Sequence, residues 1–191
     1  VFVAFSGEEW QLRGSRHFLT TLPVPFDVPH VHSMINLDCV GRLADRKLLV
    51  FGAASADEWP HIARGIGFTT GIESLCATDP GSSDHLSFHR AGVPAIQLFS
   101  GAHEDYHRPT DDVEKIDASG LVKVATWVRE GLQYLSERPK PLTNRLANAS
   151  PSPDATTAPT APRATSLGTV PDFTFAGPGV RIEKVSAGSA A

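Results

Sequence analysis

The opening stretch of the chain, VFVAFSGEEWQLRGSRHFL (Val1–Leu19), joins an apolar run, a turn and a helical pattern. Val1–Phe5 has the continuous apolar character of a strand that is buried on both faces. A Ser-Gly pair then signals a turn, and apolar residues recur at mixed helical spacing from Leu12 to Leu22. Glu8 and Glu9 are therefore predicted to follow a strand, at the edge of an α/β sheet where ligands bind.

Strand and helix patterns alternate over the rest of residues 1–138, which is typical of a layered α/β fold. Strands are predicted over 31–40 (VHSMINLDCV), 47–53 (KLLVFGA) and 93–100 (VPAIQLFS), and helices over 56–66, 83–91 and 119–136. We expect Gly65 and Gly67 to end the helix over 56–66, and Gly92 to end the next one. These elements predict one packed domain over residues 1–138.

The composition changes after residue 138. Residues 139–169 are rich in Pro, Ala, Ser and Thr and poor in large apolar side chains, so we predict a disordered linker there. Residues 170–191 alternate again in the manner of strands, at 173–175 and 180–185, but such a short piece cannot fold alone. We interpret it as the truncated start of a second domain. Because the chain also begins with Val inside a strand pattern, we expect a fragment that is truncated at its N-terminus as well as at its C-terminus.

Charge, hydropathy and cysteine content restrict the possible partners and cross-links of the chain. The chain has 191 residues and a formal net charge of -4, with no Lys/Arg-rich run, so we expect no nucleic-acid partner. No apolar run approaches the length of a transmembrane helix. Cys39 and Cys76 are the only cysteines; two buried free thiols are expected, and a single disulfide bridge stays open as the alternative.

Chemistry-bearing residues fall at the ends of the predicted strands or in the loops that follow them. Each of them also has an interpretation without a catalytic role. A Glu-Glu pair is common at a solvated helix start, Asp84 could cap a helix, and His107 could be an ordinary loop histidine. Carboxylate oxygen and imidazole nitrogen are also zinc ligands, and a catalytic zinc site needs one more carboxylate to move the proton of the attacking water. Two adjacent glutamates can divide these roles. The candidates are Glu8, Glu9, Asp38, Asp84, His85, Tyr106 and His107.

Four blocks in order resemble the M28 family of zinc metallopeptidases, typified by di-zinc aminopeptidases. They are GEEWQLRGSRHF (7–18), INLDCVGR (35–42), GSSDHLSFHRAGVPAIQLFSG (81–101) and DYHRPTDDVEKID (105–117). The resemblance covers about residues 1–135. It implies a three-layer α/β/α sandwich with a mixed, mostly parallel sheet, whose N-terminal part is missing from this chain. It also implies peptide substrates, cleavage of the N-terminal peptide bond, and two zinc ions in the complete protein.

The resemblance assigns a role to each candidate residue. Glu8 matches the general base. Glu9 and His107 match ligands of one zinc, and Asp38 matches a ligand of the other. Tyr106 matches a residue that hydrogen-bonds the developing oxyanion in some members.

Three further positions are compared with the same pattern. Asp84 and His85 match a block whose side chains hold the metal ligands in orientation or line the pocket. His103 does not match the motif, although it lies close to it in sequence.

One part of the family pattern has no counterpart here. The remaining two ligands of the family come from a His-x-Asp block upstream of the Glu-Glu pair, where this chain has only seven residues. We therefore expect this chain alone to bind zinc weakly and to turn over no peptide.

The tail resembles a second family. GPGVRIEKVSAGSAA (177–191) is similar to the opening of bacterial PDZ domains, with Ala190 at a position where that pattern has proline; the alternative is a glycine-rich hairpin of no particular family. A PDZ domain would bind the C-terminal segment of a peptide at a sheet edge.

Two other functions stay open for the main domain, namely a single-zinc glutaminyl cyclase and a non-catalytic binding module on the same fold. Because family members are commonly exported or membrane-anchored, we expect a periplasmic, extracellular or membrane-anchored protein.

Overall fold

The computed structural model describes residues 1–22, 25–77, 81–146, 168–172, 175 and 177–185. Its main sheet has four strands in the order β1-β4-β2-β3. These strands are β1 (Met34–Leu37), β2 (Leu48–Phe51), β3 (Ser74–Cys76) and β4 (Ala95–Phe99). β1 pairs with β4 and β2 with β3 in parallel, whereas β2 and β4 are antiparallel. The mixed, mostly parallel sheet expected from the sequence is confirmed.

Helices cover both faces of this sheet. The helices are α1 (Arg13–Thr20), α2 (Trp59–Thr70), α3 (His85–Arg90) and α4 (Ala118–Glu137). On one face, α2 and α4 bury a large core that includes Ile96 and Leu98 of β4. On the other face, α1 and α3 pack around Phe88 and Ala95. Because alternate residues of β4 point to opposite faces, one short buried strand serves both cores, and the α/β/α layering is confirmed.

The prediction of a buried strand over Val1–Phe5 is wrong. These residues form no strand and pair with no described strand, and the side chains of Val1 and Phe2 are exposed. Phe5 alone is anchored, with its ring 5.6 Å from that of Phe18 and 6.2 Å from that of Phe88. Apolar composition indicated burial, but a strand also needs a hydrogen-bonding neighbour, and no described strand lies beside this segment.

The predicted end of α2 at Gly65 and Gly67 is also wrong. The helix runs through both glycines to Thr70 and is capped by Gly71, whose φ is +73° and whose N–H donates to the carbonyl of Gly67. A glycine inside a helix costs about 1 kcal/mol relative to alanine, and burial of the apolar face of α2 outweighs this cost. β3 was not predicted, because three residues are too few to show a period of two.

The chain continues to pack on the domain after α4, within the range predicted as a linker. Leu142 is 7% exposed and joins the core beneath α2 and α4. Glu58 accepts hydrogen bonds from the backbone N–H and the Oγ1 of Thr143, and Asp57 pairs with Arg145. Residues 139–146 therefore belong physically to the main domain. Residues 147–167 of the predicted linker lie outside the described part of the chain.

We expect Leu142→Ala to lower the free energy of unfolding by about 2–4 kcal/mol, because it leaves a cavity beside buried helices. The measurement is denaturant unfolding of the chain. Lys140→Ala, an exposed neighbour, serves as the control and should change stability by less than about 0.5 kcal/mol. Equal stabilities of the two variants would contradict the assignment of residues 139–146 to the domain.

The described part of the tail forms a two-stranded antiparallel ribbon. β5 (Thr169–Pro171) pairs with β6 (Ile182–Val185), so the predicted strand over 180–185 is present in part. Residues 173–174, in the other predicted strand, lie outside the described residues. The second domain and its PDZ character stay predictions. Among the described helices, none has both the length and the apolar character needed to cross a membrane.

Candidate metal centre

A tight turn carries Glu8 and Glu9. It is closed by hydrogen bonds from the N–H of Leu12 to the carbonyl of Glu8 (2.9 Å) and from the N–H of Gly14 to the carbonyl of Ser6 (2.9 Å). A β-carbon on Gly14 would lie 2.3 Å from that carbonyl oxygen, so only glycine permits the approach. The turn fixes the two glutamates at the start of α1.

The end of β1 carries the second predicted group, Asp38. Its Oδ2 accepts a 2.7 Å hydrogen bond from the buried hydroxyl of Ser83, which in turn accepts one of 2.8 Å from Nδ2 of Asn36. Asn36 lies within β1 and Ser83 just before α3, so this relay links the strand to the helix. The relay holds the Asp38 carboxylate in one orientation, as partners behind a metal ligand do.

Asp84 and His85 follow directly at the start of α3. Both are buried, and Oδ1 of Asp84 has no hydrogen-bond partner among the described residues. Burial raises the pKa of Asp84, a hydrogen bond from Ser15 opposes the rise, and the charge of Asp38 adds to it. The ring of His85 packs edge-on to that of His89, 5.3 Å away. The effect of Asp38 on the pKa of Asp84 means that the two carboxyl groups repel each other when both are charged.

The loop after β4 carries Tyr106 and His107. Their rings stack with centroids 4.2 Å apart, and Nε2 of His107 lies 3.1 Å from Oε1 of Glu9. Tyr106 also packs against Phe99 of β4. The predicted pair of ligands for one metal, far apart in sequence, is therefore in direct contact.

Glu8 lies in the negative field of the other carboxylates. Burial, followed by the charges of Asp38, Glu9 and Asp84, raises the pKa of Glu8 from about 4.5 to about 7. A carboxyl with a pKa near neutrality can both accept and release a proton at physiological pH. Burial and the same negative surroundings raise the pKa of Tyr106 to about 12, so its hydroxyl stays protonated and can donate a hydrogen bond.

Left-handed backbone at non-glycine residues occurs in the three segments that carry the predicted ligands Glu9, Asp38 and His107. Cys39, directly after Asp38, has φ +52°; His107 itself has φ +58°; and Gln11 and Leu12 follow the Glu-Glu pair at φ +64° and +58°. Such conformations cost of order 1–3 kcal/mol each and persist where the surroundings hold them in place. Their presence beside each predicted ligand supports a functional site at this edge of the sheet.

The donor atoms of the candidate residues suit zinc, but the structure brings the predicted ligands together only in part. Carboxylate and imidazole donors are zinc ligands, and Glu9 meets His107. Within the described ranges, however, no three metal-ligating side chains are grouped so as to hold an ion. His103, which does not match the motif, faces Asp111 instead, with Nε2 3.7 Å from Oδ2. Cys39 and Cys76 are free thiols as expected, but both are only half-buried rather than fully buried, and this partial burial raises the pKa of each.

Sequence reasoning missed the residues that hold these side chains. Ser83 and Asn36 support Asp38, and Arg42 contacts both Asp105 and Asp111 near Tyr106 and His107. No sequence signal points to them, because serine, asparagine and surface charges are common in loops. Only their position directly beside the predicted blocks could have suggested a supporting role.

The raised pKa of Glu8 makes the stability of the metal-free chain depend on pH. Because the folded pKa (about 7) exceeds the unfolded value (4.5), the stabilising contribution of protonated Glu8 is full below pH 4.5 and is lost between pH 4.5 and 7. We expect Glu8→Gln, which stays neutral, to raise the melting temperature at pH 8 by about 2–4 °C. This corresponds to about 1 kcal/mol after discounting for solvent screening.

Thermal unfolding of the metal-free chain at pH 4 and pH 8 measures this effect. The exposed Glu114→Gln serves as the control and should be neutral at both values. An equal gain from Glu8→Gln at pH 4 and pH 8 would contradict the assigned charge effect.

Acid and imidazole side chains at the ends of parallel strands form the kind of site that metal-dependent hydrolases of the α/β class use. The profile described as "Peptidase family M28" matches residues 1–131. The chain belongs to peptidase family M28.

Several known proteins are similar to this chain. Aminopeptidase YwaD of Bacillus subtilis (strain 168) is 29% identical over 153 residues, which cover 74% of this chain and 33% of that protein. The crystal structure of BSAP, a zinc aminopeptidase from Bacillus subtilis, has a TM-score of 0.61 and 26% identity, covering 73% of this chain and 37% of that one. The chain thus spans about a third of the length of these relatives.

A second solved structure shows the fold alone. Glutaminyl cyclase from an Acidobacteriales bacterium has a TM-score of 0.54 and 19% identity, covering 65% of this chain and 45% of that one.

Proposed function

We propose that this chain contributes the general base and three zinc ligands to an aminopeptidase that hydrolyses N-terminal peptide bonds. The observation that carries the proposal is the 3.1 Å contact between Nε2 of His107 and Oε1 of Glu9, beside a carboxyl whose pKa is raised to about 7. The relatives named as aminopeptidases support the reaction class. Peptides with a free N-terminus are the proposed substrates.

Glu9, Asp38 and His107 would hold zinc, the first and last on one ion and Asp38 on a second. When bound, zinc polarises the scissile carbonyl and lowers the pKa of water. Glu9 and His107 are both more than half exposed in their side chains, so they can open around an ion without disturbing the core. Ser83 keeps the Asp38 carboxylate oriented through its 2.7 Å hydrogen bond.

Glu8 would act as the general base. Its carboxylate accepts a proton from the attacking water and returns it to the leaving amine, which a group with a pKa of about 7 can do in both directions. Tyr106 keeps its proton and would donate a hydrogen bond to the developing oxyanion. The buried Asp84 adds negative charge that helps to keep the pKa of Glu8 raised.

Zinc content tests the proposal most directly. The complete polypeptide that carries this chain is purified, offered zinc and analysed by elemental mass spectrometry, and release of the N-terminal residue from a dipeptide is followed in parallel. Two zinc ions with release of that residue would support the aminopeptidase. One zinc ion with cyclisation of N-terminal glutamine would favour the cyclase, and no zinc would favour a non-catalytic binding module.

Two further expectations belong to the same proposal. Export follows from the resemblance to exported family members. A PDZ-like domain that begins near residue 170 would recruit the C-terminal segment of a peptide.

A further inference from the structure

A charged cluster lies beside the candidate metal centre without entering it. We call Arg42, Asp105, Asp111 and Lys115 the Arg42 cluster. Nη2 of Arg42 lies 2.5 Å from Oδ1 of Asp111 and 3.5 Å from Oδ2 of Asp105. Nζ of Lys115 lies 2.6 Å from Oδ1 of Asp105. The side chains of Arg42 and Asp105 are 17% and 18% exposed, so this contact is better shielded from solvent than most surface ion pairs.

The cluster joins the two loops that carry predicted ligands. Arg42 lies four residues after Asp38, in the loop between β1 and β2, and Asp105 directly precedes Tyr106 and His107. We propose that Arg42 is a positioning residue that fixes the Tyr106–His107 segment relative to Asp38 through its contacts with Asp105 and Asp111. This inference rests on the proposed function, because it concerns how the proposed ligands are held.

The backbone that carries Arg42 is held in place by hydrogen bonds of its own. The backbone N–H of Arg42 donates to Oγ of Ser100 (3.2 Å), and that hydroxyl donates to the carbonyl of Cys39 (2.6 Å). The guanidinium of Arg46 donates to the carbonyls of Arg42 and Ala102, one in each of the two loops. The Arg42 guanidinium is therefore presented from a fixed backbone rather than from a free surface arm.

The Tyr106–His107 segment needs the contacts with Arg42 because its backbone is strained. His107 has φ +58°, and Asp105 is tied by the hydroxyl of Thr110 (2.7 Å) as well as by Lys115. A histidine in the left-handed region returns to an ordinary conformation unless neighbouring contacts hold it. Removing the Arg42 charge would break the link between the two loops and leave Asp105 held only by Thr110 and Lys115 of its own segment, so that the His107 ring could move away from Glu9.

The test compares Arg42→Gln, Arg42→Lys and the control Arg64→Gln, an exposed arginine of α2. Histidine and tyrosine ring signals of the metal-free chain are recorded by NMR, with His107→Gln used for assignment. Zinc affinity is then measured by competition with a chelator, and thermal unfolding is followed without metal. The NMR and thermal measurements use this chain, and zinc affinity is measured on the complete polypeptide that carries it, because this chain alone is expected to bind zinc weakly.

Arg42→Gln is expected to shift the His107 and Tyr106 signals and to weaken zinc binding about 10–100-fold, the usual effect of removing a partner behind a ligand. Arg42→Lys should retain most of the wild-type behaviour, because a single nitrogen of Arg42 makes both carboxylate contacts. Arg64→Gln should match the wild type.

Three results would overturn the inference: unchanged ring signals in Arg42→Gln, an equal loss in Arg42→Lys, or signal changes throughout the chain with a lower melting temperature. A complete wild-type polypeptide that binds no zinc would count against the proposed function. In that case the ring signals of Arg42→Gln alone decide the positioning role, since they are recorded without metal.

Discussion

Replacing Glu8 with glutamine is expected to lower kcat for peptide hydrolysis by ~10²–10⁴-fold, the range attributed to a positioned general base. Glutamine has nearly the same shape and keeps the hydrogen-bonding oxygen, but it cannot accept the proton of the attacking water. Zinc content should stay at the wild-type value, because the proposed ligands are Glu9, Asp38 and His107. The measurement is steady-state hydrolysis of an aminoacyl p-nitroanilide by the complete polypeptide.

Two companion variants make this result specific. Glu9→Gln should lose metal as well as activity, since it removes a proposed ligand in contact with His107. Glu114→Gln, an exposed carboxyl remote from the Glu-Glu turn in sequence, should leave kcat unchanged. A kcat for Glu8→Gln within a few-fold of wild type would exclude Glu8 as the base and would leave its raised pKa as a consequence of burial alone.

The same residue links stability to function. Crowding of Glu8 by Asp38, Glu9 and Asp84 destabilises the metal-free chain above pH 7, and that crowding also provides a proton acceptor at neutral pH. Positive charge bound by Glu9, Asp38 and His107 would relieve the repulsion. Sites of this kind often trade stability for chemistry, so a gain in melting temperature and a loss of kcat in Glu8→Gln would be two results of one change.

Local sequence patterns predicted the elements with long or strongly apolar signatures. The helical period over 119–136 matches α4 (Ala118–Glu137), and the apolar run over 93–100 contains β4 (Ala95–Phe99). Residues 1–5 were misassigned, because a buried strand is specified by its neighbours as well as by its own composition. The end of α2 was misassigned because packing overrode the glycine signal.

Local sequence patterns also identified individual residues of the candidate site, but not the contacts between them. Glu8, Glu9, Asp38 and His107 could be singled out because each stands in a local block at the end of a predicted strand. The contact between Glu9 and His107, and the supports from Ser83 and Arg42, join distant parts of the chain. Such pairings are set by the order of strands in the sheet, which the local pattern of a single sequence does not contain.

Replacing Trp127 with alanine is expected to lower the free energy of unfolding by about 3–5 kcal/mol. Trp127 is fully buried in α4, at the centre of the core formed with α2 and β4. Its indole N–H has no hydrogen-bond partner among the described residues, so the ring stabilises the fold by packing alone. Denaturant unfolding of the whole chain, followed by circular dichroism, gives the change.

Trp127→Phe separates packing from polarity. It keeps an aromatic ring and removes an unsatisfied donor, so it should cost less than half as much as alanine. The effect reaches the site because α4 packs against β1: a β-carbon on Gly131 would lie 3.5 Å from Cδ1 of Ile35, three residues before Asp38. Trp127→Ala should therefore weaken zinc binding as well as folding. Loss of stability with unchanged zinc affinity would mean that the loop after β1 is held by Ser83 and Arg42 rather than by the core beneath it.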